Sequence, residues 1–337
     1  MAEQEAFSAR LWALADLFTP MAVRVAATLR LADHVAGGAS SVAALAQRTG
    51  SDPDALARLV DHLISVGVLE RRGGALALTE LGEDLREGHP GEARAWLDIE
   101  GPVGRAELSA LRLLDAVRTG APAYPVTYGR EFWADLSAQP ALAEAFDALM
   151  GARIRFDAPK IAAGYDWGAL SHVVDVGGGN GTLIAAILTA HLGLRATLVE
   201  LAGPAEAAAR AITEAGLDDR CAIVAGSFFE PLPRGADAYL LSGVLHDWDD
   251  APALEILRRC AEAAGASGRV VVIEDGLLAE DAAQSRLRTE MNLRMLAYTG
   301  GRERTLPDLE RLAARIGLRV GAIHRPARYR SLIELHK

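Results

Sequence analysis

Cysteine is nearly absent from this chain, with two residues, Cys221 and Cys260, among 337. Both lie in apolar patterns without metal-ligand spacing, and two do not make a disulfide framework, so a reducing, cytoplasmic setting is expected. Excess positive charge is also lacking: 35 Lys and Arg stand against 45 Asp and Glu, for a formal net charge of −10. A surface for general nucleic-acid or anionic-membrane binding is excluded on that balance, because both partners would be repelled. No segment reads as long and apolar enough to span a bilayer. The opening Met1-Ala-Glu-Gln-Glu-Ala has neither the basic stretch nor the apolar run of a signal peptide. No clustered His/Asp/Glu set suggests a metal, and there is no internal repeat or low-complexity tract. What remains is ordinary for a globular enzyme, 50% hydrophobic and 24% charged, and long enough for two cores.

Three zones are expected: 1–100, 101–165 and 166–337. The first opens with a helical pattern placing Leu11, Leu14, Leu17 and Phe18 on one face. Ser41 to Gly50 reads as a short helix with a serine cap and a glycine stop. Asp52-Pro53 starts another, Asp54 to Val66, and Val68 to Leu78 reads as two short strands around Gly73-Gly74. Helix, turn, helix, hairpin is a winged-helix pattern. A recognition helix needs basic and amide side chains toward phosphates and base edges, yet the second helix offers Asp52, Asp54 and Asp61 against Arg58. DNA binding is therefore disfavoured, and the face of Leu56, Leu59, Val60, Leu63 and Ile64 is expected to pack in a dimer. The second zone reads as helices broken by a loop at Thr119 to Pro125.

The third zone alternates strands and helices, which predicts a doubly wound, mostly parallel sheet. Expected strands are 172–176, 196–200, 222–224, 238–241 and 269–273, followed by an antiparallel hairpin of 318–325 and 329–336. After the first strand comes Asp175-Val-Gly-Gly-Gly-Asn-Gly181, which opens the helical Thr182 to Leu188. Such a turn lets backbone approach a nucleoside and take positive φ, although it also serves as a plain tight connection. Gly177, Gly179 and Gly181 give G-x-G-x-G, whereas the dinucleotide fingerprint needs glycine where Thr182 stands. Asp175 suits a ligand with a cationic end. Glu200, ending the next strand, is placed for ribose hydroxyls, which fits NAD and S-adenosylmethionine alike. The fourth strand leads into Ser242-Gly-Val-Leu-His246-Asp247-Trp248. Ligands sit beyond the carboxyl ends of such strands, so His246 stands where a base is needed, unless it caps the helix starting at Asp247–Pro252 or is simply solvated.

Four ordered segments carry a resemblance: Asp175 to Gly181, Gly226-Ser-Phe-Phe-Glu-Pro-Leu-Pro233, Leu245-His-Asp-Trp-Asp249 and Gly300-Gly-Arg-Glu-Arg-Thr305. Together with the winged-helix front end they resemble the S-adenosylmethionine-dependent small-molecule O-methyltransferases over essentially the whole chain. Phe18 to Arg30 and Val199-Glu-Leu-Ala-Gly-Pro-Ala205 are most similar to the bacterial enzymes that tailor anthracyclines and related aromatic polyketides. The resemblance implies a Rossmann-like methyltransferase domain of seven strands, a dimerisation domain, a homodimer, S-adenosylmethionine as cofactor, a small aromatic substrate and no metal. It places Asp175, Gly177, Gly179, Glu200, Leu201, Ser227, Phe228 and Ser242 at the cofactor. It makes His246 the catalytic base, flanked by Glu274 and Glu303, and puts Asp247, Met291, Asn292, Arg294 and Met295 on the substrate side.

Each of these has a plainer reading: Glu274 and Glu303 as surface charges, Met291 and Met295 as core filler. Two departures stand out. The family commonly has aspartate where Ser227 stands, which weakens adenine recognition. The anthracycline subgroup often replaces the histidine with an apolar residue, whereas this chain keeps His246. A phenol of pKa about 10 is a poor nucleophile at neutral pH, so removing its proton helps by roughly 10²–10⁴-fold. The competing readings are a relative that retains S-adenosylmethionine while hydroxylating or decarboxylating its substrate, and a ligand-sensing regulator built on the winged helix.

Overall fold

The caps behave as the sequence predicts. In the computed structural model, which describes residues 2–278 and 281–337, the Ser41 hydroxyl accepts from the Ala44 amide at the start of helix Val42–Thr49, and Gly50 ends it at φ 66°. Asp52 likewise caps helix Pro53–Ser65 by accepting from the Ala55 amide. Strands β1 (Leu69–Arg72) and β2 (Ala75–Leu78) pair antiparallel around Gly73-Gly74, both at positive φ. Contacts divide the chain into two compact units, Met1–Leu108 and Ser109–Lys337. The helices between 109 and 165, read above as their own zone, group with the second unit.

Two expectations for the first unit need correction. The apolar face of Pro53–Ser65 is not left for a partner. Leu56, Val60 and Leu63 are buried in the unit's own core with Leu45, Leu69 and Leu76, and Leu59 and Ile64 pack against it. The cluster of exposed apolar side chains is instead Leu11, Trp12, Leu14, Leu17 and Phe18, with Leu81 exposed apart from them in sequence. They fall in Ala9–Thr28, 20 residues of mean hydropathy 1.2, which is long and apolar enough to cross a bilayer by length and composition. The expectation of no such segment was too strict, because Asp16 and Arg24 interrupt the run. Asp16 ends one helix, Ala2–Ala15, and caps the next, Phe18–Thr28, by accepting from the Phe18 and Thr19 amides.

The second unit is a seven-stranded sheet of order β5-β4-β3-β6-β7-β9-β8. Its strands are β3 (His172–Val176), β4 (Arg195–Glu200), β5 (Cys221–Ala225), β6 (Ala238–Ser242), β7 (Arg269–Asp275), β8 (Arg319–His324) and β9 (Arg330–His336). The first five in chain order run parallel, and β9 is antiparallel to both β7 and β8. Helices cover both faces, so the central strands are nearly continuous apolar runs; Val173, Val174 and Val176 are fully buried. From β3 the chain winds outward to β5 and then returns to β6 beside β3. That reversal leaves a crevice beyond the carboxyl ends of β3 and β6, the place where doubly wound sheets bind ligands. β7 runs to Asp275, so Glu274 lies inside the strand opposite Ser331. The helix expected to start within 247–252 does so at Asp250 and runs to Ala264, and a one-turn 3₁₀ segment, Leu245–Asp247, precedes it. Asp249 stands at the N-cap of that helix, so His246 does not cap it and sits instead in a tight turn.

Candidate active site

Glycine shapes the crevice. Gly177, Gly179 and Gly181 take φ values of 74°, 55° and 78°, where other residues are strained. A Cβ on Gly177 would come within 3.0 Å of Val244 and 3.4 Å of Phe228, so any side chain would fill the space between the two loops. Glu200 secures the turn: its carboxylate accepts from the Gly179 amide at 3.0 Å and from the Leu201 amide at 2.7 Å. Asp175 lies beneath, with a Cβ on Gly178 falling 2.6 Å from its Oδ2, so its carboxylate supports the loop from below. It is 1% exposed and, among the described residues, Oδ2 has no hydrogen-bond partner. Burial, then the charge of Glu200, pushes Asp175 up to about 7. Burial also raises Glu200, against its two backbone bonds, and burial with Glu200 raises Asp147, on helix Pro140–Arg155, to about 6.

Three carboxyl groups thus crowd a turn with no room for side chains at 177 and 178. A cationic nucleoside fits this donor set, because positive charge offsets the burial, and the lesser repulsion from Glu200, that raise Asp175 and Asp147. The other expected cofactor residues border the same crevice. Phe228 is edge-on to Phe229 and Trp248 at 5.0 and 6.0 Å. The Ser227 hydroxyl accepts from the Phe229 amide at 3.2 Å, Ser242 ends β6, and Leu201 is 47% exposed at the end of β4.

Val244, against Gly177, is two residues from His246, so one loop serves both halves of the site. The His246 turn is clamped on several sides. Glu274 accepts from the Leu245 amide at 2.9 Å. The buried Arg304 guanidinium donates to the carbonyls of Leu245 and Trp248 and to Asp250. The His246 carbonyl accepts from the Arg302 amide, and Gly301 packs so closely that a Cβ would lie 2.2 Å from that carbonyl.

The ring itself is surrounded by acid: Nδ1 is 2.7 Å from Glu303 and 4.0 Å from Glu274, and Nε2 is 3.6 Å from Asp247. Burial pulls the imidazole pKa down, but Asp247, Glu274 and Glu303 together override it and hold His246 at about 10. Burial in turn lifts Glu274 to about 7 and Asp247 to about 6, each moderated by the imidazolium. The plain reading of Glu274 and Glu303 as surface charges fails, since each is 5% exposed.

His246 and Glu303 open onto a cavity of about 750 Å³. Met291 and Arg294 line it as expected, but three other expected substrate residues do not. Met295 is core, 7% exposed, because the helical stripe carries it past the cavity rim. Asn292 accepts from the Glu303 amide at 2.9 Å and so positions Glu303, and Asp247 faces the imidazole. Sequence reasoning missed Asp147 and the basic walls formed by Arg153, Arg288 and Arg330. The segment Arg325-Pro-Ala-Arg-Tyr-Arg330 carries a basic signal that was passed over as a turn; Asp147 and Arg153 sit in an unremarkable helical pattern and offer none. Among the described residues, no group of three or more side chains is arranged to hold a metal ion.

A doubly wound sheet with a glycine turn, a carboxylate at the end of the next strand and a histidine cavity beyond β6 is the architecture of a nucleoside-binding enzyme. Comparison with known proteins makes the class specific. Residues 111–319 match the O-methyltransferase domain, and residues 12–86 match the O-methyltransferase dimerisation domain. The chain is 53% identical over 324 residues, 96% of each chain, to 2,7-dihydroxy-5-methyl-1-naphthoate 7-O-methyltransferase of Streptomyces carzinostaticus. It is 52% identical over 310 residues, 90% of this chain and 82% of the other, to aclacinomycin 10-hydroxylase of Streptomyces purpurascens. A crystal structure of an O-methyltransferase from neocarzinostatin biosynthesis, in complex with S-adenosylmethionine and 2-hydroxy-5-methyl naphthoic acid, superposes with a TM-score of 0.91 at 52% identity, covering 96% of this chain and 97% of that one. The chain belongs to the S-adenosylmethionine-dependent O-methyltransferase family.

Proposed function

We propose that this enzyme methylates a phenolic hydroxyl on a polycyclic aromatic acceptor of the polyketide type, with His246, expected from the sequence as a general base, acting as an imidazolium that holds the phenolate. The observation that carries the reading is the His246 ring, held by Glu303 at Nδ1 and open to a cavity of about 750 Å³ walled by Met291, Leu287 and Tyr329. S-adenosylmethionine, when bound, supplies an electrophilic methyl group on a sulfonium centre. Gly177 and Gly179 would approach its amino-acid portion, Glu200 its ribose, and Ser227 and Phe228 its adenine, with Leu201 and Ser242 at the rim and Asp175 acting through the loop. Because Glu303 occupies Nδ1, Nε2 is the atom left for the acceptor oxygen, with Asp247 beside it.

At neutral pH the resting imidazole is protonated, since its pKa is about 10. An imidazolium paired with a phenolate holds as many protons as a neutral imidazole beside a phenol, and a phenol of pKa about 10 is matched to it. The acceptor proton therefore leaves to solvent as the complex forms, and Nε2–H holds the phenolate oxygen. Glu274 and Glu303 keep the positive charge on the ring. Attack then joins an anion and a cation in a buried site, which positioning and low dielectric both favour.

The similarity to a hydroxylase supports a second reading, in which S-adenosylmethionine is retained while oxygen chemistry takes place on a similar substrate. His246 with its Glu303 partner supports methyl transfer, because a clamped imidazolium stabilises the phenolate that attacks the methyl group. Incubating enzyme, S-adenosylmethionine and a dihydroxynaphthoate and measuring S-adenosylhomocysteine separates the two: stoichiometric formation supports methyl transfer, and hydroxylated product without it favours the alternative. The exposed Leu11, Trp12, Leu14, Leu17 and Phe18 support a homodimer formed through the dimerisation domain. Light scattering should give a dimer at micromolar concentration, and Leu14→Glu should shift it toward monomer; a wild-type monomer counts against this assignment.

A further inference from the structure

The cavity that contains His246 is strongly basic in a protein of net charge −10: seven of its lining side chains are arginine or lysine, against Asp275 and Glu303. Several of these cations are already compensated. Arg153 is 2.6 Å and Arg330 3.0 Å from Asp275, and Lys160 is 3.0 Å from Asp157. Arg288 differs from these three in making no ion pair among the described residues, and its Nε, like that of Arg330, is buried without a hydrogen-bond partner. Its aliphatic stem is nonetheless held in place: it packs over Gly276, where a Cβ would lie 3.0 Å from the Arg288 Cβ and Cγ and 3.2 Å from Cδ. Gly276 therefore makes room for this side chain, and the guanidinium is placed over the cavity with donors unmet. On the Ala282–Tyr298 helix Arg288 is three residues from Met291, so it shares the stripe that supplies an apolar platform for an aromatic ring.

We propose that Arg288 binds a carboxylate carried by the acceptor, so that the cavity selects hydroxylated arene carboxylates over their neutral counterparts. The inference rests on the reading that this cavity holds the acceptor. A guanidinium edge offers two parallel N–H donors that match a carboxylate, and the buried Nε supplies one of them. The cavity walls focus the field of the surrounding cations on that point even though the whole protein is acidic. The relative that acts on a naphthoate, and the neighbour bound to a naphthoic acid, carry an anion of this kind.

The test is calorimetric titration of the protein with 2,7-dihydroxy-5-methyl-1-naphthoate and with its methyl ester, alongside measurement of S-adenosylhomocysteine formation from each. The wild type should prefer the acid, and Arg288→Met should reduce the acid-to-ester affinity ratio by about 10–100-fold, the value of a charge-assisted hydrogen-bond pair. Arg288→Lys should restore part of the ratio, since it keeps the charge and loses the fork; it also shows that the fold survives at this position. An unchanged ratio in Arg288→Met, or equal loss for acid and ester, overturns the proposal. A ratio that depends on Arg288 without any S-adenosylhomocysteine would uphold the carboxylate site and reject methyl transfer. Product formation with no acid preference would do the reverse.

Discussion

The two ends of the site carry opposite charge. On the β3 side, Asp147, Asp175 and Glu200 collect around the glycine turn, all with raised pKa values. On the other, Arg153, Arg288, Arg294 and Arg330 line the cavity beyond β6 and β7. The His246 loop reaches both, through Val244 and the imidazole. A methyl transfer from a sulfonium to a phenolate consumes one cation and one anion, and this arrangement sorts them before they meet. The difference teaches that charge here is assigned by ligand, while the net charge of the whole chain describes neither pocket.

The sharpest way to break this comparison is to remove the group shared by both ends. His246→Ala should lower kcat by roughly 10²-fold or more while S-adenosylmethionine affinity stays near that of the wild type. The deficit should shrink at high pH, where solvent ionises the phenol, and for acceptors with a more acidic hydroxyl. Full activity of the variant at pH 7 would reduce His246 to a wall of the cavity and leave catalysis to positioning. Next in size, Glu200→Ala should weaken S-adenosylmethionine by about 10–100-fold, because charge-assisted hydrogen bonds to the ribose are lost and the Gly179 amide loses its acceptor. Calorimetry showing unchanged affinity would remove Glu200 from the donor side.

What was legible in the sequence follows from how local each feature is. The glycine turn, Glu200 and His246 sit at the ends of strands whose apolar runs are visible, and each is fixed by a few neighbouring residues. The caps Ser41 and Asp52 were legible for the same reason. The charge contrast was not. Arg153, Arg288 and Arg330 come from two helices and the start of the antiparallel strand β9, and only the sheet order brings them to one cavity. Met295 reads as pocket lining because helical spacing identifies a stripe without saying where its edge turns into core, and Asn292, implied by the resemblance alone, meets the Glu303 amide. The Pro53–Ser65 face was assigned to a partner because an amphipathic pattern looks the same whether its own unit or another chain covers it.

Asp175 allows the donor side to be tested without turnover. Its pKa stands at about 7, above the usual 3.8. The folded protein therefore holds a proton there that the unfolded chain has released, and stability falls as pH rises from about 4 through 7. Asp175→Asn removes this penalty, so it should stabilise the ligand-free protein at pH 8 by about 1–3 kcal/mol and by less at pH 5. The same variant should bind S-adenosylmethionine less tightly. A loss of stability at pH 8 would show that the carboxylate is needed in its charged form even without a cation nearby.

The smallest effect carries the most direct reading of the contrast. A cationic donor beside Asp175 and Asp147 lowers their pKa values from about 7 and about 6, so its binding at pH 6.5 should release a fraction of a proton. Its affinity should accordingly rise with pH across that range. An anionic acceptor acts in the opposite sense on Glu274 and Asp247, at about 7 and about 6: it favours their protonated forms, so its binding should take up protons. 1-Naphthoate, which lacks a hydroxyl, isolates that response from phenol ionisation. Calorimetry at pH 6.5 in Tris and in phosphate reads both. A released proton is bound exothermically by Tris, so the donor's apparent enthalpy should be more negative there and the acceptor's less so. The same sign for both ligands would mean that the two ends of the site do not differ in the charge they accept, and the assignment of donor to one and acceptor to the other would have to be withdrawn.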